Sequence, residues 1–272
     1  VFSPYYAWAK QPADPENFVA MNVALYGTKN RWTMTERGRN SLRRGMDFLR
    51  IGPSGLRWDG NTLVADIDEI STPVLRRFRG TIRLTPGAMQ PETFVLDAAG
   101  RHRWRPIAPG SRIEVEFLNP KLSWSGRAYF DTNDGDAPLA ADFCSWHWSR
   151  TAAADKTCIL YDVARRDGTE FSLPLQIGED GIATRFDPPA VQELPVTWWG
   201  VRRRTRADAG YAPGVIKTLE NAPFYARSHI RTRIHGAESE AIHESLSLSR
   251  FSALWVRLML PFRMPRRVGR AK

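Results

Sequence analysis

Cysteine is almost absent from this chain: Cys144 and Cys158 are the only two among 272 residues. Two cysteines cannot build a disulfide framework, and their spacing matches no zinc motif. A reduced, cytoplasmic chain is the expectation, with a single bridge between the two as the alternative. Long apolar runs are also missing. No stretch reaches the roughly 20 residues that span a bilayer, and the apolar run near the end, Trp255 to Phe262, is interrupted by Arg257 and Pro261. No secretory signal is legible, and the start at Val1 reads as processed or truncated.

The phosphate-cradling motifs are lacking as well. Neither a Walker A sequence nor G-x-G-x-x-G occurs, which disfavours nucleotide chemistry. The "GPSG" at Gly52 to Gly55 lacks the spacing of a nucleophile elbow and reads as a turn. With no HExxH and no compact Cys/His cluster, no metal is expected. Of the histidines His229, His235 and His243, which share parity, Gly236 breaks the strand register. Helical periodicity is scarce: one short helix is predicted around Pro213 to Glu220, with proline near its start, and one from Ser249 to Leu260, stopped by Pro261.

Charge of one sign vanishes at the end of the chain. After Glu244 there is no acidic residue, while Arg250, Arg257, Arg263, Arg266, Arg267, Arg270 and Lys272 follow. The whole chain carries 39 Lys+Arg against 29 Asp+Glu, with a pI near 10.0. That balance suits nucleic acid, an anionic membrane surface or an acidic partner. The segment "TWWGVRRRTR" has the aromatics and arginines to stack bases. Its arginines alternate as an exposed face would, however, and no RNP-like signature is present, so nucleic acid is not the expected partner. The arginines of the tail surround Leu254, Trp255, Leu258, Met259, Leu260 and Phe262. That combination favours peripheral docking on an anionic membrane.

What the chain has in plenty is two-residue alternation. It runs through "NFVAMNVALYG", "RGTIRLTP", "SRIEVEFL", "DFCSWHWSR" and "VTWWGVRRRTR", among others. Turn pairs punctuate it: Asp59-Gly60, Pro86-Gly87, Ala99-Gly100, Asp167-Gly168 and Asp180-Gly181. The Gly/Pro/Asp-rich stretch Asp134 to Ala141 reads as a linker. The expected fold is mainly β: two antiparallel barrels or sandwiches, residues 1–134 and 135–272, with the boundary somewhere in 119–141 and one or two short helices near the C-terminus.

Ten tryptophans are many for this length, and they fit either a packed core or an aromatic-lined pocket for a large apolar ligand. Two pairs stand out, His102 with Trp104 and Tyr129 with Asp131. Each pair is separated by one residue, so on a strand both members face one side. Two neighbouring strands would set one carboxyl, one imidazole and two aromatic rings on one wall. Read bare, Asp131 in "DTNDGD" is also a turn former.

Seven segments, "VFSPYYAWA", "NVALYG", "WTMTERGR", "GPSGLRWDG", "RHRWRPIAP", "SWSGRAYFDTN" and "RRRTRADAGYAPG…LENAPFYARS", together resemble the carotenoid 1,2-hydratases, also called hydroxyneurosporene synthases, over nearly the whole chain. The resemblance implies a tandem lipocalin-like fold with the ligand near the junction of its halves. It implies cofactor-free addition of water across the terminal C1=C2 bond of an acyclic carotene such as neurosporene or lycopene. The implied setting is the cytoplasmic face of the inner or intracytoplasmic membrane, with other carotenoid-pathway enzymes as further partners. The family's H-x-W and Y-x-D patterns fall on His102, Trp104, Tyr129 and Asp131.

The chemistry expected of those residues starts from a very weak base, an isolated alkene. Asp131 would be the acid, kept protonated by burial among Trp104, Tyr129 and the substrate-binding Trp146 and Trp148. Aromatic faces would stabilise the tertiary cation by about 2 kcal/mol or more each when desolvated. His102 would either take the proton of the attacking water or hydrogen-bond Asp131, and Tyr129 would act through its ring, its hydroxyl or both. This picture requires His102 and Asp131 to open onto one apolar crevice. The rival reading is a non-catalytic carrier of isoprenoids or lipids on the same fold.

Overall fold

A computed structural model describes residues 2–152 and 156–267. Most of the alternating sequence becomes antiparallel sheet; in "VTWWGVRRRTR" the strand begins only at Arg203, after a turn at Trp198 and Trp199. The chain divides into two compact units built from interleaved stretches. The first holds the residues up to Pro86, Ser111–Ala128 and those from Arg257, and the second holds Gly87–Gly110 and Tyr129–Val256. The stretch Asp134 to Ala141 lies inside the second unit. There the strand Lys121–Gly135 ends and the helix Leu139–Asp142 begins. Cys144 and Cys158 are not joined in a disulfide.

In the first unit the strands Leu42–Arg44, Phe48–Ile51, Ser54–Trp58, Leu63–Ile70 and Arg77–Pro86 follow one another as a meander. Asp59-Gly60 makes one of its turns, with Gly60 at positive φ. Its core is Ile67, Phe78, Val115 and Phe117, against which Met21, Val23 and Leu25 pack. The unit also buries an ion pair: Arg37 Nη2 donates to Glu69 Oε2 at 2.7 Å, and Ser54 Oγ donates to Glu69 Oε1 at 2.8 Å.

The second unit is organised by a seven-stranded sheet. Its strand order is Ala183–Arg185, Glu170–Gly178, Lys156–Arg165, Phe143–Ala152, Ala237–Ser247, Tyr225–Ile234, Gly214–Asn221. At its middle Phe143–Ala152 pairs with Ala237–Ser247, Ser145 opposite Ser247 and Thr151 opposite Ala241. The two faces of Phe143–Ala152 are chemically distinct. Beyond the bulge at Phe143/Ser145, His147, Ser149 and Thr151 are buried on one side, while Trp146, Trp148 and Arg150 look the other way and are half-buried. On the buried side His147 and His243 stack at 6.2 Å, and burial pushes their pKa values down to about 3 and about 4. They are neutral packing groups at ordinary pH. His235 and Gly236, both at positive φ, form the turn between two strands, so His229, His235 and His243 do not share a register.

Two predicted helices are corrected. Pro213 to Glu220 contains no helix: Gly214–Asn221 is a strand paired with Tyr225–Ile234. Its β-branched Val215, Ile216 and Thr218 suit the pleat, and the neighbouring strand outweighs the helix-entry proline. The C-terminal helix is broken into Leu248–Phe251 and Leu254–Arg263, and Pro261 sits inside the latter. A proline in the last turn deletes one backbone bond without ending the helix, because Met264 N–H still reaches Leu260 O at 2.7 Å.

Candidate active site

The half-buried face of Phe143–Ala152 is one wall of a cavity of about 330 Å³. Strand register determines who lines it, since directly opposed residues share a face. Trp148 is opposite Tyr161 on one neighbour and Glu244 on the other, and Arg150 is opposite Ile242. Glu244 in turn is opposite Arg227. The strands His102–Asn119 and Lys121–Gly135 supply Trp104, Tyr129, Asp131 and Asn133.

Asp131 is the centre of the polar contacts there. Trp104 Nε1–H donates to Asp131 Oδ2 at 2.8 Å, and the Tyr129 hydroxyl donates to the same oxygen at 3.2 Å. No described residue donates to Oδ1. Burial raises the Asp131 pKa above the ordinary carboxyl value. The two hydrogen bonds pull it back, the charge of Glu244 pushes it up and Arg150 pulls it down. Burial, then the charge of Asp131, drives the Tyr129 phenol well above its usual pKa. Burial likewise raises Tyr161. Both phenols are therefore neutral donors.

The aromatic rings are packed together. Trp104 lies 5.3 Å from Tyr161 and 5.8 Å from Phe94, Tyr129 lies 5.5 Å from Trp148, and Trp146 meets Tyr161 edge-on at 6.2 Å. Arg150 covers one face of Tyr129 at 5.0 Å.

Three of the four predicted catalytic residues, Trp104, Tyr129 and Asp131, are thus brought together, along with Trp146 and Trp148. His102 is not. It shares the buried face of its strand with Trp104, but its Nε2 lies 2.6 Å from Asp142 Oδ2, and its ring packs on Phe143 at 4.7 Å. Arg101 also bonds Asp142. A Cβ on Gly135 would approach His102 Nδ1 to 2.9 Å, so glycine there makes room for the ring. A strand advances about 6.8 Å over two residues, enough to carry His102 from the cavity to the end of Leu139–Asp142. The expectation of one apolar crevice shared by His102 and Asp131 is corrected on both counts, because the lining also contains Asn133, Arg150, Arg227 and Glu244.

Sequence reading missed those polar members and Tyr161. Arg150 carries a signal, since it continues the parity of Trp146 and Trp148. Glu244 and Arg227 carry none, because only the pairing of distant strands puts them opposite Trp148 and each other. Among the described residues no three His, Cys, Asp or Glu side chains are grouped as metal ligands.

The architecture is lipocalin-like, and the cavity sets a protonatable carboxyl among aromatic rings. A crystal structure of an AttH protein from Nitrosomonas europaea has the same fold, with a TM-score of 0.60 over 87% of this chain and 83% of that one, at 13% identity. The family is given by sequence: the model for carotenoid hydratase CrtC matches residues 1–272, and the chain belongs to that family. Acyclic carotenoid 1,2-hydratase of Thiocapsa roseopersicina is 50% identical over 98% of this chain and 67% of its own length. Those of Rubrivivax gelatinosus and Cereibacter sphaeroides are 48% and 41% identical, covering 98% and 99% of this chain and 67% and 96% of their own.

Proposed function

We propose that this protein adds water across the terminal C1=C2 bond of acyclic carotenoids, neurosporene and lycopene among them, giving tertiary 1-hydroxy products. The observation that carries this reading is the asymmetry of Asp131. Two neutral donors occupy Oδ2, desolvation favours the protonated form, and Oδ1 is left to hold the proton. A carboxylic acid of that kind, in an aromatic cavity, is suited to protonating an alkene.

Transfer of the Asp131 proton to C2 leaves the charge on C1, the tertiary carbon. Trp104, Trp146, Trp148 and Tyr161 then offer π-faces to the cation, a stabilisation realised in the transition state and absent for the neutral alkene. Tyr129 acts through its hydroxyl, since Arg150 already occupies a face of its ring. As the proton leaves, the Trp104 and Tyr129 donors stabilise the carboxylate that forms. His102 is a positioning residue: its bond to Asp142 anchors the strand two residues before Trp104. The cavity suits one end of a polyene. Incubation with lycopene in ¹⁸O-labelled water should yield labelled 1-hydroxy product. Binding without any product would favour the carrier reading instead.

A membrane surface is the proposed partner, and the helix Leu254–Arg263 supports it with two apolar faces. Val256 and Leu260 are buried, while Leu254, Leu258 and Phe262, spaced by four, are 68%, 55% and 84% exposed. Trp198, 82% exposed, packs on Trp199, which stacks on Trp255. Arg257 and Arg263 lie on the same helix and no acidic residue follows Glu244, so the stripe suits an anionic lipid surface. Arg270 and Lys272 of the tail lie outside the described residues. Changing Leu254, Leu258 and Phe262 together to serine should reduce sedimentation with phosphatidylglycerol vesicles at least tenfold. Unchanged binding would remove the membrane role. The proposed setting is the cytoplasmic face of the membrane that holds the polyene.

A further inference from the structure

The water that completes hydration needs a proton acceptor, and His102 is engaged with Asp142. Arg150 and Arg227 can only donate, Tyr129 and Tyr161 are neutral phenols, and an amide such as Asn133 is not a base. Besides Asp131, one carboxylate lines the cavity: Glu244. Arg227 gives it both Nε and Nη2, at 2.9 and 2.6 Å, and both go to Oε1. Oε2 accepts no hydrogen bond from any described residue. Opposite Glu244 across the strand pair, the Trp148 Nε1–H is buried and has no hydrogen-bond partner among the described residues. An unpartnered acceptor and an unpartnered donor thus lie on adjacent strands of the cavity wall, and Oε2 is the oxygen left to accept from a water.

The two carboxyl groups are built alike and set to opposite tasks. Each has one oxygen that takes two donors and one that takes none. The donors to Asp131 are a neutral indole and a neutral phenol, whereas Glu244 is held by a guanidinium. A carboxyl contacted by neutral donors suits the giving of a proton, and one held in place by a guanidinium suits the binding of the water.

We propose that Glu244 is the general base of the reaction and holds the attacking water on Oε2, with Arg227 as its positioning residue. The proposal rests on the hydration reading above. Breaking the Asp131 Oδ1–H bond forms C2–H from the C1=C2 π pair and leaves a cation at C1. A lone pair of the water forms the C1–O bond while its proton passes to Glu244 Oε2. The cycle closes when that proton returns to Asp131 through solvent.

Azide distinguishes the two steps, because it captures a tertiary cation without losing a proton. The experiment follows full-length Glu244→Gln and Asp131→Asn with lycopene, with and without sodium azide, by mass spectrometry of the products. Glutamine keeps an acceptor for Arg227, and circular dichroism checks the fold. Glu244→Gln should lose hydration about 10²–10⁴-fold, the usual range for a general base, yet form the 1-azido product at a rate within a few-fold of wild type. Asp131→Asn should form neither product. Hydration retained in Glu244→Gln would overturn the assignment and leave the Asp131 carboxylate as the acceptor. Loss of both products in a folded Glu244→Gln would also overturn it, because Glu244 would then be needed before the cation exists. Products from Asp131→Asn would sink the underlying reading instead. If glutamine does not fold, Glu244→Asp decides: hydration reduced with azide capture intact supports the base, and equal loss of both refutes it.

Discussion

Asp131→Asn should abolish carotene hydration, by at least about 10³-fold, while leaving the fold intact. Asparagine has the same shape and still accepts from Trp104 and Tyr129, but it has no proton to give. The size follows from general acid catalysis, worth about 10²–10⁴-fold, applied to a substrate too weakly basic to find another donor. The pH dependence has a definite sign. The protonated carboxyl is the active form, so activity is present at low pH and falls as pH rises through the raised Asp131 pKa. Tyr129→Phe removes a donor that favours the carboxylate, so its alkaline limb should move to higher pH. The same shift bears on stability: the folded state keeps a proton that the unfolded chain releases at a lower pH. That contribution is complete below the unfolded carboxyl pKa and is lost as pH rises through the folded one. Asp131→Asn should therefore be no less stable than wild type at neutral pH. A folded variant with near-normal turnover of lycopene would refute the mechanism.

The largest stability effect is expected in the first unit, at Glu69. Its side chain is 1% exposed and that of Arg37 is 5% exposed. Glu69→Ala leaves a guanidinium buried without its partner and strands the Ser54 hydroxyl. Breaking a buried pair from one side costs about 3–5 kcal/mol, far more than the pair adds over an apolar replacement. Urea denaturation should show a lower midpoint, and Glu69→Gln, which keeps an acceptor for Ser54, should cost less. A midpoint unchanged in Glu69→Ala would mean that Arg37 finds another partner.

Legibility followed the range of the interactions. Alternation and turn pairs are local, so strands and hairpins such as the one at Asp167-Gly168 could be read directly. The pairs His102/Trp104 and Tyr129/Asp131 could be read as sharing a face, because parity is local too. What parity does not give is the distance along a strand to whatever arrives from elsewhere. Asp142 reaches His102 through a helix that begins beyond Gly135, and no spacing rule announces it. Glu244 was invisible for the same reason: its role depends on register with Trp148 and Arg227. At Gly214–Asn221 the proline is a local signal for a helix, and pairing with Tyr225–Ile234 decides for a strand.

The pairing of Phe143–Ala152 with Ala237–Ser247 also governs when the cavity can exist. The strand that brings Glu244 opposite Trp148 follows the strand of Trp146, Trp148 and Arg150 only after a long intervening stretch of chain. Contacts of such long sequence separation form late and slow the folding of β proteins. An incomplete chain therefore carries Asp131 without the wall that completes its site. The reactive chemistry becomes available only to a chain that has finished folding.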